Sequence, residues 1–123
     1  MAISIQRLDH VAITVSNIEK SRAFYTHLLG LTEVPRPKSF DFPGVWYRLG
    51  PIDIHLVGSP PADPPGRHHF CLVVADLHAA AATLQSAGYS LNWDAHKIEG
   101  IDRFFTRDPD GNRVELQGPE KKS

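Results

Sequence analysis

The sequence of 123 residues predicts an α+β fold made of two copies of one βαβββ module. The first observation is a repeat: residues 8–15, LDHVAITV, are echoed by residues 67–74, RHHFCLVV. The second is that each copy runs directly into a segment with helical periodicity. The third is that further strand signals follow each of these helices.

This repeat sets the expected domain organisation. The length is typical of one compact domain, so we expect a single domain over residues 1–123. Its modules are expected at 5–59 and 67–118. The proline-rich segment 60–66 between them is predicted to be a semi-rigid linker.

The first module contains signals for one helix and four strands. Strand 8–15 is followed by Ser16 and Glu19, which form an S-x-x-E capping box and predict the start of the helix. Gly30 is predicted to end that helix in a left-handed conformation. The remaining strands of the module are predicted at 31–34, 45–49 and 52–57.

The second module repeats this order. Strand 67–74 is followed by Asp76, a predicted N-cap, and the helix is expected to end at Gly88. The Asp-Pro-Asp-Gly segment 108–111 predicts a hairpin turn between the last two strands. The strands after the helix are predicted at 89–93, 103–107 and 113–117.

Composition excludes several classes of function. The net charge of -1 offers no basic surface for nucleic acid or anionic membranes, so small molecules are the expected partners. The sequence contains neither an apolar stretch long enough for a transmembrane helix nor a signal peptide, and this predicts a cytoplasmic protein. The single cysteine, Cys71, excludes an internal disulfide and is expected to be a buried small hydrophobe.

Strand alternation identifies four candidate metal ligands. Two residues lie on the first strands of the modules and two on the last strands, and all four point away from the apolar face. The members of each pair are 45 or 46 residues apart, so the pairs occupy equivalent places in the two modules. The predicted ligands are His10, His55, His69 and Glu115. His68 faces the opposite way. His27 is expected on the helix surface, His78 at a helix start and His96 in a loop.

Three imidazoles and one carboxylate suit a single catalytic divalent ion. Zn, Ni, Mn, Co and Fe(II) all accept such ligands, whereas a structural zinc centre usually contains thiolates. The sequence does not distinguish these metals. A site of this type keeps a coordination position open to water or substrate.

Longer motifs resemble the vicinal oxygen chelate superfamily, which includes glyoxalase I, fosfomycin-resistance proteins and extradiol dioxygenases. They are LDHVA at 8–12, Phe-Tyr at 24–25, Leu-Gly-Leu at 29–31 and FTRDPDGNRVEL at 105–116. The resemblance implies a cup-shaped sheet of eight strands around one metal, and commonly a homodimer. In several members the modules exchange between subunits, so that His10 and His55 would meet the second ligand pair of the partner.

The segment 39–46 resembles a glyoxalase-I-like subgroup. This resemblance implies a lyase or isomerase acting on a small carbonyl substrate, or its thiol adduct, through a metal-stabilised enediolate. Glu115 or His55 would move the proton. Glyoxalase I usually has glutamate where this sequence has His55. The candidate substrate contacts are Arg36, Trp46, Arg48 and Arg103.

Two alternatives remain open. His10, His69 and Glu115 alone form a two-histidine, one-carboxylate set that suits an Fe(II) extradiol-type dioxygenase, with His55 as acid or base. The other alternative is a non-catalytic, ligand-binding dimer of the bleomycin-resistance type. Activity with different metals on a hemithioacetal and on catechols would separate these readings.

Overall fold

The fold is that of a computed structural model, in which contacts divide the chain into two compact units, residues 1–63 and 64–123. Each unit corresponds to one of the sequence repeats and is considered by itself. The expected linker 60–66 and His96 lie outside the described residues. The structure describes residues 4–58, 68–93 and 98–119.

The first unit contains four strands and one helical segment. The helical segment begins as helix α1, Ile18–Arg22, and continues as a π-helix over Ala23–Leu28. The strands are β1 His10–Val15, β2 Thr32–Val34, β3 Gly44–Leu49 and β4 Ile52–Gly58.

The second unit has the same order of elements. Its helix α2, Leu77–Ser86, follows the first strand of the unit directly. The strands are β5 His69–Val73, β6 Asn92–Trp93, β7 Arg103–Arg107 and β8 Arg113–Gln117.

Both units form a mixed sheet of four strands. The strand order is β1-β4-β3-β2 in the first and β5-β8-β7-β6 in the second. In each sheet the first and last strands pair in parallel, and the other pairs are antiparallel. The parallel pair requires a crossover, and the helical segment supplies it. The predicted α+β fold of two βαβββ modules is therefore confirmed.

The predicted helix ends are confirmed with one correction. Asp76 caps α2 and accepts a hydrogen bond from the amide of Ala79 at 3.0 Å, as expected. The cap of α1 is Asn17, which accepts from the Lys20 amide at 3.0 Å, and not the predicted Ser16. An asparagine caps as well as a serine, so the sequence permits either register. The glycines after both helices have positive φ, 71° at Gly30 and 91° at Gly88.

The π-helical segment was not expected from the sequence. Its i→i+5 bond runs from the Leu29 amide to the Phe24 carbonyl at 2.9 Å. The wider turn accompanies the complete burial of two consecutive aromatic residues, Phe24 and Tyr25. A regular α-helix would point neighbouring side chains about 100° apart, which makes it harder to bury both.

One face of each sheet packs against the helical segment of its own unit and forms the core. Strand alternation puts the apolar side chains on that face and leaves the other face for polar ones, as the sequence predicted. The buried apolar residues of the first unit are Val15, Phe24, Tyr25, Val45, Tyr47, Ile54 and Leu56. Those of the second are Leu72, Leu77, Ala81, Leu84, Phe104, Val114 and Leu116, whereas Phe105 is buried on the opposite face, paired with Glu115.

Among the described residues, the helices are too short and too polar to pass through a lipid bilayer.

Candidate metal and substrate site

The first unit brings His10 and His55 together on the face of the sheet away from the core. His10 on β1 is paired with Asp53 on β4, and Ala12 is paired with His55. His55 is therefore the diagonal neighbour of His10, one step along the same face. Their rings are stacked, with centroids 4.2 Å apart.

The second unit repeats this register. His69 on β5 is paired with Arg113 on β8, and Cys71 is paired with Glu115. Glu115 is thus the diagonal neighbour of His69, as His55 is of His10. The Nε2 atom of His69 lies 3.1 Å from Oε1 of Glu115.

The imidazole of His55 is clamped between two rings. The indole of Trp46, which is directly opposite on β3, stacks on it with centroids 3.9 Å apart and an angle of 2° between the planes. His10 stacks on the ring as well and is oriented by Asp9, whose Oδ2 lies 2.8 Å from the His10 Nδ1 atom. A carboxylate at Nδ1 leaves Nε2 available, which is the usual arrangement of a metal-binding histidine.

Burial keeps His55 in the form that binds metals. Partial desolvation lowers the pKa of His55 below its usual range, and this favours the neutral imidazole. Its buried Nε2 atom has no hydrogen-bond partner among the residues described, and the Asp53 carboxylate 3.5 Å away is too distant for a good hydrogen bond. That carboxylate instead binds Arg48, with Nε to Oδ1 at 3.0 Å, an interaction that lowers the pKa of Asp53. A neutral imidazole whose Nε2 has no hydrogen-bond partner is suited to bind a metal ion.

A cavity of about 400 Å³ opens beside these histidines. Trp46 and the exposed rings of Phe40 and Phe42 form its aromatic side. The guanidinium of Arg36 lies over both phenylalanine rings and donates to the Phe42 carbonyl at 2.8 Å. The cavity therefore offers apolar and planar surface next to potential metal ligands, which is typical of small-molecule sites.

The donor of the second unit is held by charge instead of by stacking. Glu115 is 3% exposed, and its Oε2 atom accepts from Nη1 of Arg103 at 3.3 Å. Two donors that share one divalent ion at about 2.1 Å each lie roughly 3 Å apart, so the 3.1 Å separation of His69 and Glu115 fits such an ion.

Phe105 connects three polar side chains of this unit. It lies opposite Glu115 on β7, and its ring meets the His69 ring edge to face at 5.3 Å. The guanidinium carbon of Arg113 lies 3.6 Å from the ring centroid, and that of Arg103 lies 5.4 Å away. Strand alternation places Arg113 on this face, but no functional role for it was expected from the sequence.

Cys71 differs from its expected state. It is exposed, not buried, because it shares the outward face of β5 with His69. Partial loss of hydration, together with the nearby Glu115 carboxylate, raises its pKa to about 12. The thiol therefore stays protonated at neutral pH, unlike a catalytic cysteine.

The predicted ligands form two pairs, one in each unit. In neither unit do three His, Cys, Asp or Glu side chains of the described residues converge in a ready metal cage. Each unit supplies two donors, whereas a catalytic zinc site commonly has three protein ligands. Of the predicted substrate contacts, Trp46 stacks on His55, Arg48 binds Asp53 and Arg103 donates to Glu115. Arg36 contacts the rings of Phe40 and Phe42. His27, His68 and His78 are exposed.

Sequence comparisons agree with this architecture. A family model described as the Glyoxalase/Bleomycin resistance protein/Dioxygenase superfamily matches residues 7–116. Glyoxylase I 4 of Arabidopsis thaliana is 26% identical over 93% of this chain and 71% of its own length. Glutathione transferase FosA of Serratia marcescens is 30% identical, with 91% of this chain and 80% of its own covered.

Solved structures show the same fold. A Bacillus anthracis protein ascribed to the glyoxalase family aligns with a TM-score of 0.84 and 29% identity, covering 96% of this chain and 98% of its own. The fosfomycin resistance protein FosX of Listeria monocytogenes, in complex with Mn(II) and a dihydroxypropylphosphonic acid, aligns with a TM-score of 0.82 at 13% identity. That alignment covers 94% of this chain and 93% of FosX.

Proposed function

The chain belongs to the Glyoxalase/Bleomycin resistance protein/Dioxygenase superfamily, and on that premise we propose that it is a divalent-metal-dependent lyase or isomerase of the glyoxalase type. Its substrate is a small carbonyl compound or the thiol adduct of one. Its ion is held jointly by His10, His55, His69 and Glu115.

The observation that carries this proposal is the identical register of the two ligand pairs. In both sheets a histidine of the first strand and a donor on the last strand are diagonal neighbours on the outward face. Unrelated surface histidines would have no reason to repeat such a position. Since each pair alone is too small for a catalytic centre, both pairs are needed, either from one chain or from two chains of a homodimer.

The donor set fits the ion. A cation would satisfy the buried Nε2 of His55, and the 3.1 Å separation of His69 and Glu115, a hydrogen-bond distance in the chain alone, is compatible with two donors to one ion. Such an ion would polarise the vicinal oxygens of the substrate and stabilise the enediolate that forms when a proton leaves the adjacent carbon. The donors suit Zn, Ni, Mn, Co and Fe(II).

Glu115 is the residue we assign to proton transfer. Its Oε2 atom accepts from Arg103 at 3.3 Å, which holds the carboxylate in one orientation. Burial strengthens the electrostatic contacts of such a group and keeps bulk water away from it. His55 is the second candidate, because its neutral imidazole can accept a proton.

The aromatic cavity of the first unit is the proposed place for the body of the substrate. Its volume of about 400 Å³ suits a small molecule. Trp46 lines its aromatic side, and Arg36 packs on the Phe40 ring of that side. Asp53, which also lines the cavity, binds Arg48. These contacts favour a substrate with a planar or apolar group.

One observation favours a dioxygenase as the second candidate. The His55 ring is fixed between His10 and Trp46, and this is a suitable arrangement for an acid or base that does not bind the ion. The remaining set, His10, His69 and Glu115, would then be the ligands of Fe(II). A ligand-binding dimer without catalysis is the third possibility, and retained metal binding would argue against it.

The decisive experiment is metal analysis of the purified chain followed by activity assays. We expect one divalent ion per chain, and we expect the ion to be lost from His10→Ala and His69→Ala alike. Two ions per chain, each removed by only one of these substitutions, would contradict a shared ion. The His27→Ala variant, altered at an exposed histidine, is the matched control.

Activity then separates the reaction types. Protein loaded with Ni, Zn, Mn or Fe(II) is expected to isomerise the hemithioacetal of methylglyoxal. The change in ultraviolet absorbance measures this reaction. Oxygen consumption with a catechol would support the dioxygenase instead. We also propose that the chain is a homodimer and that its two modules form one domain joined by residues 60–66. Sedimentation velocity tests the first proposal, and limited proteolysis tests the second.

A further inference from the structure

The strands of the two units pair in the same register, but at one equivalent position the two residues carry opposite charges. In the first unit Arg48 on β3 pairs with Asp53 on β4, and the two side chains form an ion pair at 3.0 Å. In the second unit the equivalent pair is Arg107 on β7 with Arg113 on β8. Like charges directly opposite each other on a sheet are destabilising, so this pair calls for a physical reason.

The two arginines of the second unit are held differently. Arg107 donates to the carbonyl of Gly111 at 2.9 Å and thus belongs to the hairpin turn. Arg113 lies over Phe105, with its guanidinium carbon 3.6 Å from the ring centroid. Within the parts of the chain that the structure describes, Arg113 has no carboxylate partner. Its charge is therefore available, and the stacking fixes the plane of its guanidinium.

The position of Arg113 relates it to the candidate metal ligands. The same Phe105 ring contacts Arg113 on its face and the His69 ring at 5.3 Å. Those two distances place the guanidinium within about 9 Å of the imidazole. Beside Arg113, on the side away from His69 and Glu115, lies a cavity of about 380 Å³ that is lined by Phe105, Arg107, Asp108 and residues 88–92 as well.

We propose that Arg113 binds an anionic oxyacid group, a carboxylate, phosphate or phosphonate, on the substrate of this protein. The anionic group would lie on Arg113, and the reacting oxygens of the same substrate would lie at His69 and Glu115. The second placement rests on the proposed function. Because the guanidinium lies no more than about 9 Å from the imidazole, one small molecule can reach both groups.

The other charges on this face support an anion. Arg103 is committed to Glu115, so its charge compensates that carboxylate. Arg113 then adds a positive charge that the Glu115 carboxylate does not balance. A planar guanidinium fixed against a ring can offer two parallel N–H donors to an oxyacid, the arrangement that Arg provides better than Lys.

The first unit supplies the design of the test variant. Arg113→Asp gives the second unit the same pair of residues, Arg opposite Asp, that the first unit tolerates at this register. We therefore expect the variant to fold, with a new ion pair between Arg107 and the introduced carboxylate. Arg113→Gln, which removes only the charge, is the second variant in case the reversal disturbs the fold.

Binding to the metal-free chain tests the proposal without any catalysis. Methylphosphonate and acetate are titrated while amide and Arg Nε signals are recorded by NMR, with acetamide as the neutral probe. We expect both anions to shift signals at 103–107 and 113–117 and their affinity to fall at least about tenfold in Arg113→Asp and Arg113→Gln. The Lys20→Gln variant, which loses a charge on α1, is expected to bind as the wild type does. Equal affinities in wild type and Arg113 variants would overturn the proposal, and the preferred anion identifies the oxyacid.

Kinetics then separates this proposal from the proposed function. Hemithioacetals of methylglyoxal with 3-mercaptopropionate and with neutral 2-mercaptoethanol are compared on the metal-loaded protein. We expect Arg113→Gln to raise KM for the anionic adduct about tenfold and to leave the neutral adduct nearly unchanged. Activity with no preference for the anionic adduct in wild type would overturn the substrate assignment while leaving the function standing. Absence of activity on both, with anion binding lost in the variants, would overturn the proposed function and retain Arg113 as an anion site.

Discussion

The strands of the two units pair in the same register, but the donor side chains at equivalent positions differ. In the first unit the donor on the last strand is His55, fixed between aromatic rings and largely shielded from water. In the second it is Glu115, fixed by Arg103 and His69. The first unit holds its donor by ring stacking and burial, whereas the second holds its donor by contacts with charged side chains.

This difference shows how a duplicated sheet can present unlike donors at equivalent positions. The backbone fixes where a donor lies, and the neighbouring positions on adjacent strands decide what that donor can be. A carboxylate is stable at position 115 because Arg103 lies beside it. An imidazole is stable at position 55 because Trp46 covers it.

The largest effect is expected for Glu115→Gln. The amide keeps the size of the side chain and removes the charge that Arg103 and the proposed ion share. We expect kcat for the hemithioacetal to fall about 10³-fold, the middle of the range for loss of a general base, and metal affinity to fall as well. Steady-state kinetics and metal analysis measure the two effects.

The control for this prediction is Glu19→Gln, the same substitution at an exposed position on α1. It should leave kcat unchanged. An active Glu115→Gln variant that retains its metal would show that Glu115 is not the base. His55 would then be assigned to proton transfer.

The next largest effect is expected for His55→Glu, which gives the first unit the donor of the second. The position equivalent to Arg103 is Gly44, where a Cβ atom would lie 2.6 Å from the Leu56 carbonyl oxygen, so no arginine can accompany the new carboxylate. We expect the metal-free variant to be less stable by about 2 kcal/mol, the cost of burying an uncompensated polar group.

Metal should reverse this loss if position 55 is a ligand. We expect a larger increase in Tm on metal addition for His55→Glu than for wild type, together with increased hemithioacetal isomerisation, because the site then has two carboxylates. Thermal unfolding with and without metal measures this. His55→Gln is the neutral control. Equal Tm increases in His55→Glu and wild type would mean that position 55 does not contact the ion.

The sequence predicted the face of each strand better than it predicted the neighbours on that face. Alternation of apolar residues placed His10, His55, His69 and Glu115 correctly on the outward faces, because a one-residue slip would expose the whole core. The repeat likewise predicted two modules with the same order of elements.

What the sequence could not provide was the contact between strands. The stacking of Trp46 on His55 depends on the register of β3 against β4, which alternation along one strand does not define. The same holds for Arg113 over Phe105. Cys71 was expected to be buried because its neighbours are apolar, although its parity places it on the outward face with His69.

A smaller effect is expected for Trp46, the residue that most separates the first unit from the second. Trp46→Phe introduces the residue found at the equivalent position, Phe105, and should cost about 1 kcal/mol of unfolding free energy. Trp46→Ala should cost about 2 kcal/mol, less than a fully buried tryptophan, because the indole is only half-buried. Urea denaturation measures both.

The stacking itself is tested by histidine titration in the same variants. Burial lowers the pKa of His55, so Trp46→Ala should hydrate the ring and move that pKa up towards its usual range. NMR titration of the metal-free chain detects this change. An unchanged pKa would mean that groups other than Trp46 provide the burial.

The smallest effect distinguishes the helices of the two units. Asn17→Ala and Asp76→Ala each remove a side-chain oxygen that accepts a backbone amide at 3.0 Å, and each should cost about 1 kcal/mol of unfolding free energy. The loss at Asn17 should be the more local of the two, because α1 has only five residues before the π-helix whereas α2 has ten. Hydrogen exchange of the α1 and α2 amides measures this, with Asn17→Asp, which keeps the acceptor, as the control. Equal protection in Asn17→Ala and Asn17→Asp would show that the cap does not stabilise α1.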